Sequence, residues 1–334
     1  MQNYNFAVIG GGSWGTTVAS LISRNVNVTL WARNADTVDE INRDHRNSRY
    51  LGEANLHPRL RACHDINEAV RGADVVIMAV PSNSFRDVLE TCANTIKSGT
   101  PLISLTKGLE AGSRLRMTEV CAQVLPQHPA GVLTGPNLAK EIMAGQAAAS
   151  VLALDDQTLR EQLQPLMNVG LFRVYTNDDV VGCELGGVFK NIIAIAVGMG
   201  DGLGAGDNTR AALITRGLAE MTRLGTCLGG RARTFSGLAG MGDMIATCTS
   251  PQSRNRHVGI ELAKGRSIDD IIASMHMVAE GVKSAPTVIE LAREYDLDMP
   301  ICEDVYKVIT GTSDPRTAYR GLLRTSAGDE SEPG

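Results

Sequence analysis

The sequence predicts an α/β fold, in which an N-terminal doubly wound parallel sheet is followed by an all-α C-terminal domain. Apolar runs of strand length alternate with helix-length segments through the first half of the chain, as they do in parallel sheets with crossover helices. A glycine-rich turn directly follows the first of these runs. From about residue 178 no convincing strand follows, and the remaining segments have helical length and pattern. We therefore predict domains at 1–177 and 178–325, with a disordered tail at 326–334.

The glycine-rich turn follows the apolar run 6–9, which is long enough for a buried strand and too short for a helix. Gly10, Gly12 and Gly15 have the G-x-G-x-x-G spacing, and residues 16–22 can continue as a helix. In this context the first glycine permits the tight turn, the second lets the backbone approach a pyrophosphate, and the third lets helix and strand pack closely. The first amides of the helix would then face the phosphates. The pattern predicts a dinucleotide site in a Rossmann-type domain, and a glycine-rich turn without a ligand is the alternative.

Seven further stretches have the length and composition of strands. The strongest is 74–81, which is apolar on both faces, as a central parallel strand should be. The others are 27–32, 60–63, 101–106, 131–134, 148–154 and 171–176. The helix-length segments are 84–96, 115–125, 157–167, 180–199, 208–224, 279–295 and 300–309, with one more helix starting at Ser267. Ligands bind at the carboxyl ends of such strands, and the residues there are Gly10, Arg33, Pro81, Lys107 and Gly135.

Length, composition and charge argue against several classes of function. The 334 residues suffice for two domains with cores of their own, and the longest apolar runs, 75–80 and 192–197, are far shorter than a membrane span. The N-terminus lacks the basic region of a signal peptide. A net charge of −5 gives no electrostatic footprint for nucleic acid. Seven cysteines without a C-x-x-C pair or zinc-site spacing indicate reduced thiols in the cytoplasm and predict no metal.

Arg33 bears on the choice of dinucleotide. It ends the second predicted strand, where an acidic residue would be expected to hold the ribose 2′-hydroxyl of NAD. An arginine there suggests room for a 2′-phosphate, which favours NADP(H) over NAD(H). The alternative is a solvated arginine at a strand end.

Lys190 is the candidate catalytic residue. It lies among apolar and small residues, where a lysine is costly to bury unless it is paired or used. Burial can bring the pKa of such an amine into the working range. When a hydride is added to a carbonyl carbon, the oxygen needs a proton, and a positioned ammonium can polarise that oxygen and then donate. The alternative is a helix lysine that snorkels to the surface.

Two further charged residues are candidates for the same chemistry. Asp243 is the one carboxylate in the glycine-bearing stretch 240–247, interpreted as a loop. It could orient Lys190 or accept a substrate hydroxyl, although a Gly-Asp pair is more often part of a turn. Lys107 ends a strand on the ligand side and could lie in a cleft between cofactor and substrate. Its alternative is turn formation with Gly108.

A hydroxyl, a guanidinium and an amide follow one another at Ser253, Arg254 and Asn255. The planar fork of an arginine beside such donors suits a phosphate dianion. A solvated, charged start of a helix is the alternative interpretation of this cluster.

Six short blocks of the sequence are informative when they are considered together, in the order in which they occur. They are Gly10-Gly11-Gly12-Ser13-Trp14-Gly15, Thr106-Lys107-Gly108, Gly135-Pro136-Asn137-Leu138-Ala139-Lys140-Glu141, Glu184-Leu185-Gly186-Gly187-Val188-Phe189-Lys190-Asn191, Gly240-Met241-Gly242-Asp243 and Ser253-Arg254-Asn255. Together they resemble the NAD(P)-dependent glycerol-3-phosphate dehydrogenases of the bacterial type, over nearly the whole chain. The resemblance implies a Rossmann-type domain followed by an all-helical one. It also implies interconversion of sn-glycerol 3-phosphate and dihydroxyacetone phosphate, which normally supplies glycerol 3-phosphate for phospholipid synthesis.

The resemblance also assigns residues. Lys190 is implied to be the proton donor and acceptor, and Lys107 is implied to lie between cofactor and substrate. The remaining substrate positions are matched by Gly135, Asn137, Asp243, Ser253, Arg254 and Asn255. Beside the glycine turn, the cofactor positions are matched by Ser13, Trp14, Arg33, Lys107, Ala139, Arg254, Val278 and Glu280. The family further suggests a homodimer and feedback inhibition by acyl derivatives.

Two other functions remain open at this point. A β-hydroxyacid or ketopantoate-type reductase shares the Rossmann domain, the helical domain and a catalytic lysine. The cluster around Arg254 favours phosphate over carboxylate, but arginine binds both. A dinucleotide-sensing protein without catalysis is the third possibility, against which the apolar surroundings of Lys190 argue.

Overall fold

The computed structural model describes residues 4–275 and 279–321. The described residues form two compact units. The first takes in the described residues up to Thr106 together with Leu115–Val180, and the second takes in Lys107–Arg114 and the described residues from Val181 onward. The predicted tail at 326–334 and the candidate cofactor residue Val278 lie outside the described residues.

The first unit is built on an eight-stranded sheet with the order β3-β2-β1-β4-β5-β6-β7-β8. The strands are β1 (Asn5–Ile9), β2 (Asn27–Trp31), β3 (Arg61–Cys63), β4 (Val75–Met78), β5 (Leu102–Ser104), β6 (Ala130–Thr134), β7 (Ala148–Ala153) and β8 (Phe172–Asn177). The predicted fold class is confirmed, with one correction: β6 and β7 pair antiparallel, whereas all other neighbours are parallel. The connection from β6 to β7 holds only a five-residue helix, so no full crossover returns the chain for a parallel pairing.

Helices cover both faces of this sheet. They are α1 (Ser13–Ile22), α2 (Ala35–Asp44), α3 (Ser48–Leu51), α4 (Ile66–Val70), α5 (Phe85–Cys92), α6 (Met117–Val124), α7 (Ala139–Met143) and α8 (Gln157–Met167), with 3₁₀ turns at Ser82–Ser84 and Ala93–Thr95. Residues of β1 alternate between the two faces. Phe6 and Val8 pack in a buried cluster with α1, α2 and α8, while Ala7 and Ile9 pack in another with α4, α5 and α6. A strand buried on both faces at the centre of the sheet leads directly into the glycine turn.

The secondary-structure elements described in the second unit are all helices. Its helices are α9 (Val180–Gly202), α10 (Asp207–Cys227), α11 (Ala232–Phe235), α12 (Asp243–Thr249), α13 (Arg254–Ala263), α14 (Ile268–Ser274), α15 (Glu280–Glu294), α16 (Pro300–Ile309) and α17 (Pro315–Gly321), with a π-helical turn at Leu238–Gly242. Its core contains α9 residues such as Phe189 and Ile192, together with Leu109 from the segment Lys107–Arg114. That segment therefore packs as part of the helical unit.

The long helix α9 is apolar around most of its circumference. Within the described ranges it is the one helix long and apolar enough to cross a membrane, and 94% of its most apolar window is buried inside the protein. A helix that is hydrophobic all round belongs in a protein core or a membrane. Here it is the central helix of the second unit, and it carries Lys190.

Candidate active site

The glycine turn of the first unit has three positions with different surroundings. Gly10 has φ +128°, and a Cβ there would lie 2.4 Å from the Ala79 carbonyl oxygen. A Cβ on Gly15 would lie 2.1 Å from the Gly10 carbonyl oxygen, so neither position can take a side chain. A Cβ on Gly12 would meet no atom within 4 Å. Gly10 and Gly15 thus close the turn, and Gly12 leaves the start of α1 open.

Ser13 and Trp14 form the first turn of α1. The amides of a first helical turn have no intrahelical acceptor, so a helix start of this kind can bind an anion. The Trp14 ring packs edge-on against Phe172, with the ring centroids 6.1 Å apart. Its indole Nε1 is buried and has no hydrogen-bond partner among the described residues.

Arg33 lies two residues beyond the end of β2 and is exposed. The next residue, Asn34, caps α2 by accepting a hydrogen bond from the Thr37 amide at 2.8 Å. The carboxyl end of β2 therefore presents a guanidinium and a capped helix, and the nearest acidic residue in the sequence is Asp36 in the first turn of α2.

Residues after β6 hold the other predicted positions of the first unit. Gly135 has φ +133°, a conformation that favours glycine. The Asn137 amide donates to the Ala149 carbonyl at 3.3 Å and accepts from the Ser150 hydroxyl, so β7 fixes its orientation. Ala139 is the first residue of α7 and is half-buried.

The second unit brings two lysines onto one carboxylate. The Lys190 Nζ donates to the Asp243 Oδ1 at 2.5 Å and to the Thr247 hydroxyl at 2.7 Å. The Lys107 Nζ donates to the other oxygen, Asp243 Oδ2, also at 2.5 Å. The Lys190 side chain is only 8% exposed, so the alternative of a snorkelling lysine is wrong. We call Lys107, Lys190, Asp243 and Thr247 the lysine cluster.

Backbone packing allows these side chains to meet. A Cβ on Gly186 would lie 2.4 Å from the Ala239 carbonyl, so glycine lets α9 approach the π-helical turn that leads into Asp243. A Cβ on Gly187 would lie 3.2 Å from the Lys107 Cγ, and its absence leaves room for the Lys107 stem. The interpretation of 240–247 as a loop is wrong, since the π-helical turn runs into α12.

The electrostatics of the lysine cluster favour a proton-transferring amine. The pKa of Lys190 is lowered to about 8, chiefly because burial disfavours the ammonium. Asp243 opposes this shift and raises the pKa, while the second ammonium, Lys107, lowers it. With both lysines protonated, one carboxylate faces two cations, so the cluster has a surplus positive charge that suits an anionic substrate or a developing oxyanion.

The start of α13 holds the predicted phosphate-binding residues. Ser253 is the N-cap of this helix and accepts a hydrogen bond from the Arg256 amide at 3.2 Å. Arg254 is the exposed first residue of α13 and lies close enough to Glu280, at the start of α15, to interact with it electrostatically. The segment is therefore a helix start, as its alternative interpretation held, and it still presents a guanidinium at the positive end of the helix dipole.

Asn255 is buried and fully engaged within the unit. Its Nδ2 donates to Asn191 Oδ1 at 2.9 Å, and its Oδ1 accepts from the Gly281 amide at 3.0 Å. Asn191 in turn donates to the Lys107 carbonyl at 3.4 Å and to the Gly187 carbonyl at 3.1 Å. These amides join the segment of Lys107 to α9, α13 and α15, so Asn255 orients the surroundings of the lysine cluster.

Sequence reasoning assigned no role to two residues here, Asn191 and Thr247. Thr247 lies one helical turn after Asp243, a spacing that places both on one face of a helix. This spacing is visible in the sequence, but it predicts a shared face only in a helix, and the stretch was interpreted as a loop. Asn191 adjoins Lys190, and no spacing pattern predicts its partner 64 residues away. Within the described ranges no three His, Cys, Asp or Glu side chains cluster as metal ligands.

Comparison with known proteins gives one consistent result. Residues 5–160 match the profile of the NAD-dependent glycerol-3-phosphate dehydrogenase N-terminus, and residues 179–320 match that of its C-terminus. The glycerol-3-phosphate dehydrogenase [NAD(P)+] 2 of Sphingopyxis alaskensis is 65% identical over 98% of both chains. The crystal structure of glycerol-3-phosphate dehydrogenase from Coxiella burnetii is similar with a TM-score of 0.92 at 38% identity, covering 97% of this chain and 99% of that one. A ketopantoate reductase from Ralstonia eutropha, at 13% identity and a TM-score of 0.61, shares the fold alone.

Proposed function

The chain belongs to the family of NAD-dependent glycerol-3-phosphate dehydrogenases, and we propose that it interconverts sn-glycerol 3-phosphate and dihydroxyacetone phosphate with NAD(P)(H). In the cell it would run as reduction and supply glycerol 3-phosphate for phospholipid synthesis. We assign dinucleotide binding to a domain at 1–177 and the substrate chemistry to a domain at 178–325.

The lysine cluster is the observation that carries this proposal. Reduction of a ketone adds a hydride to the carbonyl carbon and a proton to its oxygen. Lys190 is the proton donor, because its buried ammonium has a pKa lowered to about 8 and can give up a proton near neutral pH. The Asp243 Oδ1 lies 2.5 Å from the amine and helps to keep it protonated until the proton is transferred to the substrate. In the reverse direction the neutral amine accepts the proton of the alcohol.

The open start of α1 supports dinucleotide binding in the first unit. The absence of any atom within 4 Å of a Cβ at Gly12 leaves space for a pyrophosphate next to the unpaired amides of Ser13 and Trp14. When bound, the reduced nicotinamide supplies the hydride. Ala139, Arg254 and Glu280 are assigned to the remainder of the cofactor, following the family resemblance.

The phosphate of the substrate is assigned to the start of α13. Arg254 offers a guanidinium at the first helical position, and the dipole of the helix adds attraction for a dianion. Ser253 can donate its hydroxyl proton while its oxygen caps the helix. Following the family resemblance, Gly135 and Asn137 are assigned to the substrate as well, and Lys107 to both substrate and cofactor.

NADP(H) is proposed as the preferred cofactor because Arg33 stands where a ribose-binding carboxylate would exclude a 2′-phosphate. A cytoplasmic location is proposed as well. Its support is that all seven cysteines are free thiols, six of them buried, as expected in a reducing compartment. A homodimer follows from the family resemblance, and light scattering on the purified protein would measure it.

A substrate panel tests the function directly. The purified protein should oxidise NADPH when given dihydroxyacetone phosphate, and it should be at least about 100-fold less efficient with ketopantoate and with unphosphorylated dihydroxyacetone. Efficient use of ketopantoate would instead indicate the carboxylate-directed alternative. Quenching of NADPH fluorescence without turnover of any of the three would indicate a dinucleotide sensor.

A further inference from the structure

A buried asparagine outside all the positions discussed above contacts the glycine turn. Asn47 is completely buried. Its Nδ2 donates to the Gly11 carbonyl oxygen at 2.9 Å and to the Thr16 hydroxyl at 2.9 Å. The first partner belongs to the glycine turn, and the second lies at the end of the first turn of α1. One amide group thus joins the two parts of the chain that build the candidate pyrophosphate site.

The position of Asn47 in the sequence would suggest that its side chain caps a helix, and it does not do so. It stands at the N-cap of α3, where an asparagine normally accepts a hydrogen bond from an amide of its own helix. No such capping bond forms, and the Ser48 amide donates instead to the carboxylate of Glu40 at 3.1 Å. The Asn47 Oδ1 is buried without a hydrogen-bond partner among the described residues, a cost to stability. The hydrogen bonds of this side chain are therefore made by its Nδ2 donor.

The bond to Gly11 has a consequence for the next amide. The Gly11 carbonyl and the Gly12 N–H belong to one planar peptide group, and no peptide bond in the described residues is cis. In a trans peptide the C=O and the N–H point in opposite directions. Since Asn47 holds the carbonyl, the Gly12 N–H is directed away from Asn47. Gly12 is also the position where a Cβ would meet no atom within 4 Å.

Glycine makes this restraint necessary. Residues 10–12 are three consecutive glycines, which have more backbone freedom than any other residue type. Without a restraint on the Gly11–Gly12 peptide, binding an anion would have to order it, at a cost in conformational entropy. A hydrogen bond from a buried amide orders the peptide before the ligand arrives.

We propose that Asn47 is a positioning residue for dinucleotide binding, which fixes the Gly11–Gly12 peptide so that its N–H is available to the pyrophosphate. The inference rests on the proposed function in that it takes the ligand to be a dinucleotide. It concerns the pyrophosphate alone, so it applies equally to NADPH and NADH, and the hydrogen bonds of the Asn47 side chain go to Gly11 and Thr16.

Binding of dinucleotide fragments to the full-length protein tests this. In Asn47→Ala the dissociation constants of ADP-ribose, NADPH and NADH should all rise by about 5- to 10-fold, the effect of losing one net hydrogen bond. Adenosine 2′-monophosphate, which has no pyrophosphate, should bind as it does to the wild type. The kcat at saturating NADPH should stay near that of the wild type while the KM for NADPH rises. Asn47→Asp keeps the shape but cannot donate to the Gly11 carbonyl, so it should lose at least as much affinity for ADP-ribose.

Asn25→Ala is the matched control. Asn25 also lies in the first unit, and its Nδ2 donates to two backbone carbonyls, those of Leu166 and Asn168. Its substitution removes a comparable pair of bonds away from the glycine turn and should leave the affinity for ADP-ribose unchanged.

Three outcomes separate the possibilities. ADP-ribose affinity within twofold of wild type in both Asn47 variants would overturn the inference, while wild-type turnover of dihydroxyacetone phosphate would leave the proposed function standing. Equal weakening of ADP-ribose and adenosine 2′-monophosphate would also overturn it, since that is the effect of a general loss of structure. A wild-type protein that bound neither ADP-ribose nor NADPH would reject the proposed function and this inference with it.

Discussion

The Lys190 Nζ lies 2.5 Å from the Asp243 Oδ1 although 53 residues separate the two in sequence. The amine is buried, and the opposite oxygen of the same carboxylate already receives Lys107. A carboxylate shared by two cations neutralises neither fully. Asp243 therefore favours the charged form of Lys190 while burial disfavours it, which is the balance that the proposed role as a proton donor requires.

Removing this amine should abolish most of the activity without unfolding the protein. We expect Lys190→Met to lower kcat for reduction of dihydroxyacetone phosphate by about 100-fold or more, because the general acid is lost. The methionine keeps the apolar stem, and Lys107 still pairs with Asp243 at 2.5 Å, so no carboxylate is left buried alone. Steady-state kinetics and a thermal melt measure the two effects.

Lys264→Met serves as the control, since Lys264 is an exposed helix-end lysine of the same unit and pairs with Glu261. Near-normal turnover in Lys190→Met would show that the proton comes from another group.

The pH dependence of catalysis should move in opposite directions when the two neighbours of Lys190 are changed. Reduction needs the ammonium, so kcat/KM should fall as pH rises through the pKa of Lys190, which is about 8. Asp243 raises this pKa, so Asp243→Asn should move the alkaline limb to lower pH. Lys107 lowers it, so Lys107→Met should move the same limb to higher pH.

Initial rates measured between about pH 6 and 10 would locate the alkaline limb of each variant relative to the reference pKa of a free lysine. Shifts of the same sign in the two variants would mean that the limb reports a group other than Lys190.

Local pattern in the sequence predicted the elements well where they are long and apolar. The helices α8 and α16 begin and end at the predicted residues 157–167 and 300–309, and β4 lies inside the predicted strand 74–81. Short helices such as α3 and α7 were not predicted, because four or five residues do not develop a 3.6-residue period. The segment Lys107–Arg114 packs with the second unit, which no local pattern indicates.

The candidate site was predictable as a set of residues and not as a set of contacts. Lys190 and Asp243 each stood out as a charge in apolar or glycine-rich surroundings, since burying a charge is costly without a partner. Lys190 and Lys107 both donate to the carboxylate of Asp243, from positions 53 and 136 residues away in sequence. The packing of the helical unit decides these contacts, and no local pattern predicts them. Asn47 was not predicted for the same reason, because its partner Gly11 lies 36 residues earlier.

Gly12 should be required for binding but not for folding. Gly12→Ala adds a methyl group where no atom lies within 4 Å, so the thermal melting temperature should stay within a few degrees of wild type. The same methyl group would stand in the space needed by the pyrophosphate, so we expect the dissociation constant of NADPH to rise by about 10-fold or more.

Gly206→Ala is a close control for this change. Gly206 also precedes a helix as its N-cap, has a similar extended backbone with φ −87°, and would likewise place a Cβ in open space. Wild-type NADPH affinity in Gly12→Ala would mean that the dinucleotide does not approach this turn.

Arg33 should decide between the two dinucleotides. Replacing it with aspartate exchanges an exposed cation for a carboxylate that accepts from a ribose 2′-hydroxyl and repels a 2′-phosphate. We expect Arg33→Asp to shift the ratio of kcat/KM for NADPH over NADH by at least about tenfold toward NADH. Arg24→Asp, at an exposed site before β2, controls for the change in charge. An unchanged ratio would remove Arg33 from cofactor selection.

Glu220 should make the stability of the helical unit depend on pH. Its carboxylate is buried in α10 and accepts from the amides of Ile301 and Cys302 at the start of α16, at 2.7 and 3.1 Å. Burial raises its pKa to about 7 from an ordinary value of 4.5. The folded state thus holds this proton more tightly than the unfolded state. Its contribution to stability is full below about pH 4.5 and is lost as pH rises to about 7.

Titration of Glu220 should therefore lower the free energy of unfolding by about 3 kcal/mol between these pH values. Glu220→Gln cannot titrate, so its unfolding free energy, measured with urea at pH 5 and pH 7.5, should change less with pH than that of wild type. Glu90→Gln makes the same substitution at an exposed position of α5 and should leave the pH dependence as it is. If Glu220→Gln loses as much stability between the two pH values as wild type does, Glu220 is ionised in the folded protein at both, held by the two amides of α16 more strongly than burial opposes it.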